Sequence, residues 1–476
     1  MLSVSEDATT RPGLLGGATK WSRQRAEHLG TRSGTRLSAH PARFVAVTFL
    51  AAMAVGTVLL ALPFSSADGD WTPFLPAFFT STSSVCVTGL TVVEPGTYWS
   101  SFGQVVLLVL IQLGGLGFMT MASLIALVLS HRIGLRLTLA ADTERRSLHL
   151  GDVRRVLIGV AIVTLVVELV AALLLTVRFA VTYDEPFGRA LWHGVFTAVS
   201  AFNNAGVSLY PQSVARFSGD AVVLLTLAAA IIIGGLGFPV LVDLYTNRRR
   251  PGRLTVHSRL TLVVTAALFV AGIVVLLAFE WRNPSSFGPL PIGEKLLDGT
   301  FAGISPRTAG FSTVDPRFFT DESLVAMIGL MFVGAGSAGT SGGIKVTTFA
   351  VLGLVILAEV RGHPDVHAFG RRFSAGVQRQ ATTVALLAVG LVGFVTLALM
   401  IDTPYPMRAT SFEAVSAFGT VGLSTGITGD LPGPSQLLLI ATMFIGRIGP
   451  LTLGTSLVLH YRSSRYRYPE EAPLIG

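Results

Sequence analysis

Eight apolar stretches run through this chain of 476 residues. Each is long enough to cross about 30 Å of hydrocarbon, which takes roughly 20 residues of helix. They lie near 43–63, 102–130, 154–180, 219–245, 258–280, 322–358, 378–401 and 434–460. Lipid offers no partner to a bare peptide group, so long apolar segments of this kind cross as helices whose backbone bonds are internal. The expected fold class is therefore an all-α polytopic membrane protein. Composition agrees, with 51% hydrophobic and 13% charged residues. The 51 glycines would weaken a soluble core, whereas small residues bring membrane helices close together. One cysteine, Cys86, excludes an intramolecular disulfide framework and a cysteine-based metal cluster. It reads as a small packing residue.

Eight crossings place both ends on one side. The N-terminal tail to Arg43, the segments 131–156, 246–259 and 359–379, and the C-terminal tail together carry 25 Lys and Arg, against eight on the opposite side. By the positive-inside rule the basic side, with both termini, is cytoplasmic. A basic face beside anionic lipid accounts for the net charge of +8, so no nucleic-acid partner is implied. Residues 1–40 have no apolar signal-peptide core and read as a disordered basic cytoplasmic tail; 461–476 form a cytoplasmic C-terminal tail.

Between the spans, on the acidic side, one motif recurs in four versions: "FTSTSSVCVTGL" (79–90), "FTAVSAFNNAGV" (196–207), "TFAGISPRTAGF" (300–311) and "FEAVSAFGTVGL" (412–423). Aligned on Gly89, Gly206, Gly310 and Gly422, each glycine precedes a large apolar residue. Prolines stand upstream of every version (Pro73 and Pro76, Pro186, Pro289 and Pro291, Pro404 and Pro406), where they suit the start of a short helix. A second mark follows inside the next span: "QLGGLGF" (112–118), "IGGLGF" (233–238), "FVGAGS" (332–337) and "IGRIGP" (445–450). The chain thus divides into four units of span, pore helix and span: 41–130, 153–245, 257–358 and 378–460. The second span of the third unit is broken by "GAGSAGTSGG", residues 334–343, which is too rich in glycine to stay helical.

Irregular backbone survives at membrane depth only when buried in protein or lining a water-filled cavity. Four re-entrant loops can surround one pseudo-four-fold axis. The short helices then point their partially negative C-terminal ends at it, and a ring of carbonyls can replace the hydration shell of a monovalent cation. All four units enter from the same side, which favours a pore over the inverted repeats of a coupled transporter. No Walker loop, nucleophile elbow or His/Cys cluster occurs in a sensible context, so an enzyme is not expected. A scaffold that has lost transport is disfavoured because every loop glycine is present.

The four-fold layout, the two "GGLGF" elements, the broken sixth span and the arginine of "IGRIGP" resemble the Trk/Ktr/HKT superfamily of potassium transporters over about residues 41–460. With no further pair of spans ahead of residue 41, the chain is most similar to the membrane subunit of bacterial Ktr potassium uptake systems. The resemblance implies a multi-pass protein of the bacterial plasma (inner) membrane. It would be a homodimer with one pore per protomer, seated on a cytoplasmic ring of nucleotide-binding RCK/KTN-type regulatory subunits. It also implies K+ as the transported ion, Na+ as a requirement in several members, and no organic cofactor. The implied selectivity filter comprises Val87, Thr88 and Gly89; Asn203, Asn204, Ala205 and Gly206; Arg307, Thr308, Ala309 and Gly310; and Gly419, Thr420, Val421 and Gly422. K+ is expected at the backbone carbonyls of Thr88, Asn204, Thr308 and Thr420. Serine at the first filter glycine accompanies sodium preference in this superfamily; glycine at all four positions implies potassium. A Trk-type transporter and a sodium/potassium-coupled secondary transporter remain as alternatives. The third unit departs most, with Thr300 and Ile304 where the others carry Phe and Ser.

The broken span resembles the superfamily's gate beneath the filter: Gly334, Gly336, Gly339, Thr340, Ser341, Gly342 and Gly343, with Lys345 as gate element or anchor. Arg447 occupies the register position of Gly115, Gly235 and Ala335. A charge at that depth should face the pore or a carboxylate, and its five donors can reach loop carbonyls. Glu168, in the third span, is expected to pair with a basic residue, Lys345 or Arg447.

Overall fold

The computed structural model describes residues 41–138 and 150–459. The tails 1–40 and 461–476, and part of the basic segment 131–156, lie outside the described residues. Fifteen α-helices are present among those described, and one order of elements recurs four times. A first helix is followed by a short buried helix, an irregular loop and a second helix. In chain order these are α1 (Pro41–Ala61), α2 (Phe74–Val85), the single turn α3 (Pro95–Tyr98) and α4 (Ser101–Thr138). Then come α5 (Leu150–Thr182), α6 (Phe187–Phe202), and α7 (Ala221–Leu236) with α8 (Phe238–Asn247). The third quarter is α9 (Val256–Glu280), α10 (Ile292–Ile304), and α11 (Asp321–Phe332) with α12 (Val346–Val360). The fourth is α13 (Ala375–Asp402), α14 (Met407–Gly419) and α15 (Gly433–Leu459). A hairpin of β1 (His367–Ala368) and β2 (Arg371–Arg372) joins α12 to α13.

Each short helix starts directly after a proline: Pro73, Pro186, Pro291 and Pro406 are the N-cap residues of α2, α6, α10 and α14. Proline has no N–H to leave unpaired and fixes φ, so it sets a helix start without disturbing the turns that follow. These helices carry Ser and Thr yet lie in the interior; Ser81 and Ser416 are 0% exposed. The long helices are the reverse. On α5, Leu165, Leu169 and Leu173 are 63%, 72% and 63% exposed, and Leu386, Phe394 and Ile401 stand out from α13. An apolar exterior around a partly polar interior suits lipid as the surrounding solvent.

Among the described residues Leu157–Thr182, Val256–Glu280 and Ala375–Asp402 are long and apolar enough to cross a membrane, and Val45–Ala61, Ser101–Gly117 and Val346–Val360 are shorter apolar helices. The stretch 219–245, expected as one continuous span, is not continuous. It bends by 96° between α7 and α8, at Gly237, whose φ is +90°. The cause is a neighbour: a Cβ on Gly237 would stand 2.5 Å from Ser337 O, and Phe238 N donates to Ala338 O. The 334–343 loop occupies the space a straight helix would need. That loop is closed at its neck by a parallel bridge of Val333 with Ile344. Bonds from Gly334 N to Ile344 O (2.8 Å) and from Val346 N to Ala335 O (3.1 Å) complete the neck.

Candidate functional site

The four motif loops meet. A Cβ on Gly89 would overlap Ala205 O, one on Gly206 would stand 2.7 Å from Gly310 Cα, one on Gly310 would overlap Val421 O, and one on Gly422 would overlap Thr88 O. Each glycine therefore abuts the next loop in sequence order, and the last abuts the first. The contacts close a ring. All four glycines have φ between +66° and +92°, a region that costs a residue with a Cβ about 1–2 kcal/mol. Two residues earlier, Val87, Asn204, Thr308 and Thr420 also have positive φ, from +49° to +69°. Left-handed residues at both positions turn the backbone the same way in every loop.

The loops brace themselves. Thr88 N, Ala205 N and Val421 N donate to the carbonyls of Ser83, Ser200 and Ser416, five residues back, at 2.8, 2.8 and 2.9 Å. The same serines' hydroxyls accept from Gly89 N (3.0 Å) and Gly422 N (3.1 Å), or donate to Val207 O (2.8 Å). In the third loop Ile304 stands at the serine position, and Ser305 takes over one residue later. Ala309 N donates to Ser305 O (3.0 Å) and Ser305 Oγ donates to Phe311 O. The turn is one residue shorter there, which is why the motif aligned poorly. By this backbone register Asn204, Thr308 and Thr420 match Val87, and Thr88 matches Ala205, Ala309 and Val421.

Below the ring the side chains differ between loops. Asn204, with its amide nitrogen toward Ala201 O (3.0 Å) and Ile231 O (3.2 Å), accepts from Thr308 Oγ1 at 3.2 Å. Cys86 and Asn203 end their helices in buried positions. Asn203 donates to Gln112 Oε1 (2.8 Å) and Glu168 Oε1 (3.1 Å), and Gln112 donates to Glu168 Oε2 (3.2 Å). Glu168 is thus held by two amides, not by Lys345 or Arg447 as expected. The reason is position: Asn203 and Gln112 place their amide donors directly against its carboxylate. Gly419 completes the fourth loop; a Cβ on it would stand 2.5 Å from Met331 O.

The 334–343 loop lies against the inner side of the fourth loop: a Cβ on Gly342 would overlap Thr420 Oγ1, and one on Gly343 would come 3.2 Å from Gly419 Cα. Its backbone is satisfied by other elements. Gly336 N donates to Gly235 O (2.9 Å), Thr340 N to Gly234 O (3.2 Å) and Gly343 N to Gly446 O (3.2 Å); Gly339 packs on the Gly235 carbonyl. Within the loop, Ser341 Oγ accepts from Ala335 N (3.0 Å) and Ser341 O accepts from Lys345 Nζ. Arg447, 0% exposed, donates to Thr340 O and to Gly114 O, the latter at 3.1 Å. Arg307 runs behind its own loop and donates to Gly334 O (2.7 Å) and Thr265 O (3.3 Å). The "GG" pairs pack tightly as well. Cβ atoms on Gly114, Gly234 and Gly446 would overlap Val85 O, Phe202 O and Phe418 O at the ends of α2, α6 and α14.

On the other side of the ring a cavity is floored by Gly89, Gly206, Gly310 and Gly422 and walled by Thr91, Glu94, Ser312, Asp315, Arg317 and Ser424, among others. Arg317 is bound to Asp315 at 2.6 and 2.9 Å, and this hydrogen bond holds its guanidinium above the ordinary range. Sequence reasoning missed Gln112, the bracing serines and the Gly237 bend. Only the serines left a signal, recurring six residues ahead of three of the four glycines.

Comparison with known proteins places this geometry. The family model described as "Cation transport protein" (TrkH) matches residues 23–466. "Ktr system potassium uptake protein B" of Bacillus subtilis (strain 168) is 37% identical over 437 residues, covering 92% of this chain and 97% of the relative. The protein of the same name from Vibrio alginolyticus is 34% identical, covering 91% and 94%. "Potassium/sodium uptake protein NtpJ" of Enterococcus hirae is 32% identical, covering 92% and 97%. The crystal structure of the potassium transporter TrkH from Vibrio parahaemolyticus shares the fold, with a TM-score of 0.63 at 17% identity over 86% of this chain and 84% of that one. A family model matched over residues 23–466, with relatives more than 30% identical over nine-tenths of the chain, identifies the chain as a member of the TrkH family of cation transport proteins, which are membrane transporters and not enzymes.

Proposed function

We propose that this chain is a potassium uptake transporter of the Ktr/Trk type, conducting in channel fashion through one pore formed by four span, pore helix and span units. The observation that carries the reading is the closed ring of Gly89, Gly206, Gly310 and Gly422 at the floor of the cavity. Around that axis the carbonyls of Thr88, Ala205, Ala309 and Val421, and one step deeper those of Val87, Asn204, Thr308 and Thr420, would replace the hydration shell of K+. The ends of α2, α6, α10 and α14 favour a cation at the same point. Arg447 and the 334–343 loop form the gate: its backbone lies against the filter's inner side, and a guanidinium holding it down repels cations from the path. Relatives named for a Ktr system support association with other subunits of such a system; a second copy of the chain and a cytoplasmic nucleotide-binding ring are the partners that this reading assigns. The relative named for potassium and sodium supports Na+ as a second ion.

The test is potassium uptake in a bacterial strain deficient in it, with and without sodium, by the chain and by two variants. Arg447→Ala and deletion of residues 335–342 should each raise flux and leave potassium preference close to wild type. No rise in either variant, or loss of preference without a rise, would refute the gate; no potassium uptake by the expressed wild-type chain with its native soluble partner would refute the function.

A further inference from the structure

Arg307 is the position where the four loops differ most. Three residues before the ring glycines stand Cys86, Asn203, Arg307 and Gly419, so the third loop alone carries a charge. That charge is 1% exposed, and no carboxylate pairs with it among the described residues. Its partners are two carbonyls and a ring: Gly334 O at 2.7 Å, Thr265 O at 3.3 Å, and Phe269 with the guanidinium carbon 5.0 Å from the centroid. Thr265 and Phe269 belong to α9, whereas Gly334 is the first residue of the broken span's loop, inside the neck closed by Val333 and Ile344. A buried guanidinium with no counter-ion is tolerable only while such dipoles stay in place. Its planar fork holds two carbonyls in fixed directions, whereas an ammonium is a compact point charge without that geometry.

We infer that Arg307 is a positioning residue that clamps the neck of the 334–343 loop to α9 and to the third filter segment, so that movement is confined to the tip held by Arg447. The two arginines divide the loop. Arg447 reaches Thr340, at the tip, from α15; Arg307 reaches Gly334, six residues earlier, from the filter's own backbone. The tip can leave the axis when Arg447 lets go, but the neck cannot shift without pulling on the turn that carries Thr308 and Gly310. Loop and third filter segment are mechanically joined at this one side chain. The inference rests on reading 334–343 as the gate.

The experiment uses the full-length protein in liposomes, with rubidium tracer flux and sodium-over-potassium preference read together. Arg447→Ala should raise flux, on the order of tenfold for about 1.4 kcal/mol of lost latch energy, with preference intact. Arg307→Ala should raise flux and weaken potassium preference together. Arg307→Lys, able to reach Gly334 O alone, should return part of both. If Arg447→Ala raises flux but a normally assembled Arg307→Ala changes neither quantity, or changes flux alone, the clamp is overturned and the gate stands. If Arg447→Ala leaves flux unchanged, the gate reading itself fails. Should Arg307→Ala not assemble, Phe269→Leu removes the ring and leaves both hydrogen bonds. A smaller change in both quantities supports the clamp, and no change overturns it.

Discussion

The ring loops and the 334–343 loop are both buried irregular backbone rich in glycine, yet they are held in opposite ways. Each ring loop satisfies its turn from within, through the carbonyl and hydroxyl of a serine a few residues back. The 334–343 loop, beyond the bonds of Ser341 and its neck, is held by α7, α15 and two distant arginines. A self-braced loop keeps its shape when its surroundings move; a loop braced by others changes shape when they do. In the proposed function selectivity would draw on the first property and gating on the second.

That contrast can be broken most directly at the ring. Gly89→Ser places a Cβ over Ala205 O at a φ of +89°, so potassium uptake should fall about tenfold or more, or shift toward sodium. A well-expressed variant with unchanged preference would end the assignment of selectivity to the glycines. Next in size is Gly237→Ala, which pushes on Ser337 O at 2.5 Å. It should alter maximal flux severalfold and leave preference intact, because only the externally held loop is disturbed; a preference change in competition uptake would erase the distinction. Glu168→Leu strands the amide of Gln112, while Asn203 keeps Gln112 Oε1 and Val199 O, a loss of about 1–3 kcal/mol. A lower melting temperature is expected, with Glu168→Gln between the two, and equal melting of all three would show that this support is idle. The smallest effect belongs to Arg317→Ala at the exposed rim. The pair with Asp315 is solvated and worth under about 1 kcal/mol, so uptake should change less than about twofold and only at low ionic strength.

Much of the ring was legible in sequence, because what makes it is local: a proline ahead of each short helix, a glycine in each loop and, in three units of four, a serine six residues before that glycine. Where spacing slipped by one, at Ser305, alignment slipped with it. The inner loop was legible as a break but not as a position, since its bonds come from residues up to hundreds of places away, such as Gly114 with Arg447. The Gly237 bend was hidden for the same reason. "IGGLGF" reads as apolar helix until something packs across it, and what packs across it is 100 residues downstream. Glu168 was assigned a basic partner by charge, although amides from its neighbours were nearer.

Joining four similar units in one polypeptide has a consequence for stoichiometry. Four identical subunits around an axis would have to carry four copies of any break and any arginine, and opening would then be a concerted or stepwise event with as many participants. In a tandem chain each unit diverges alone. Here one unit supplies the broken span and another supplies Arg447, so the proposed gate would have a single copy of each part. Opening of one such pore would be a one-event process, with no intermediate degrees of closure to populate and no cooperativity of its own. Any steepness in the response of uptake to a regulator would have to be supplied by the assembly around it.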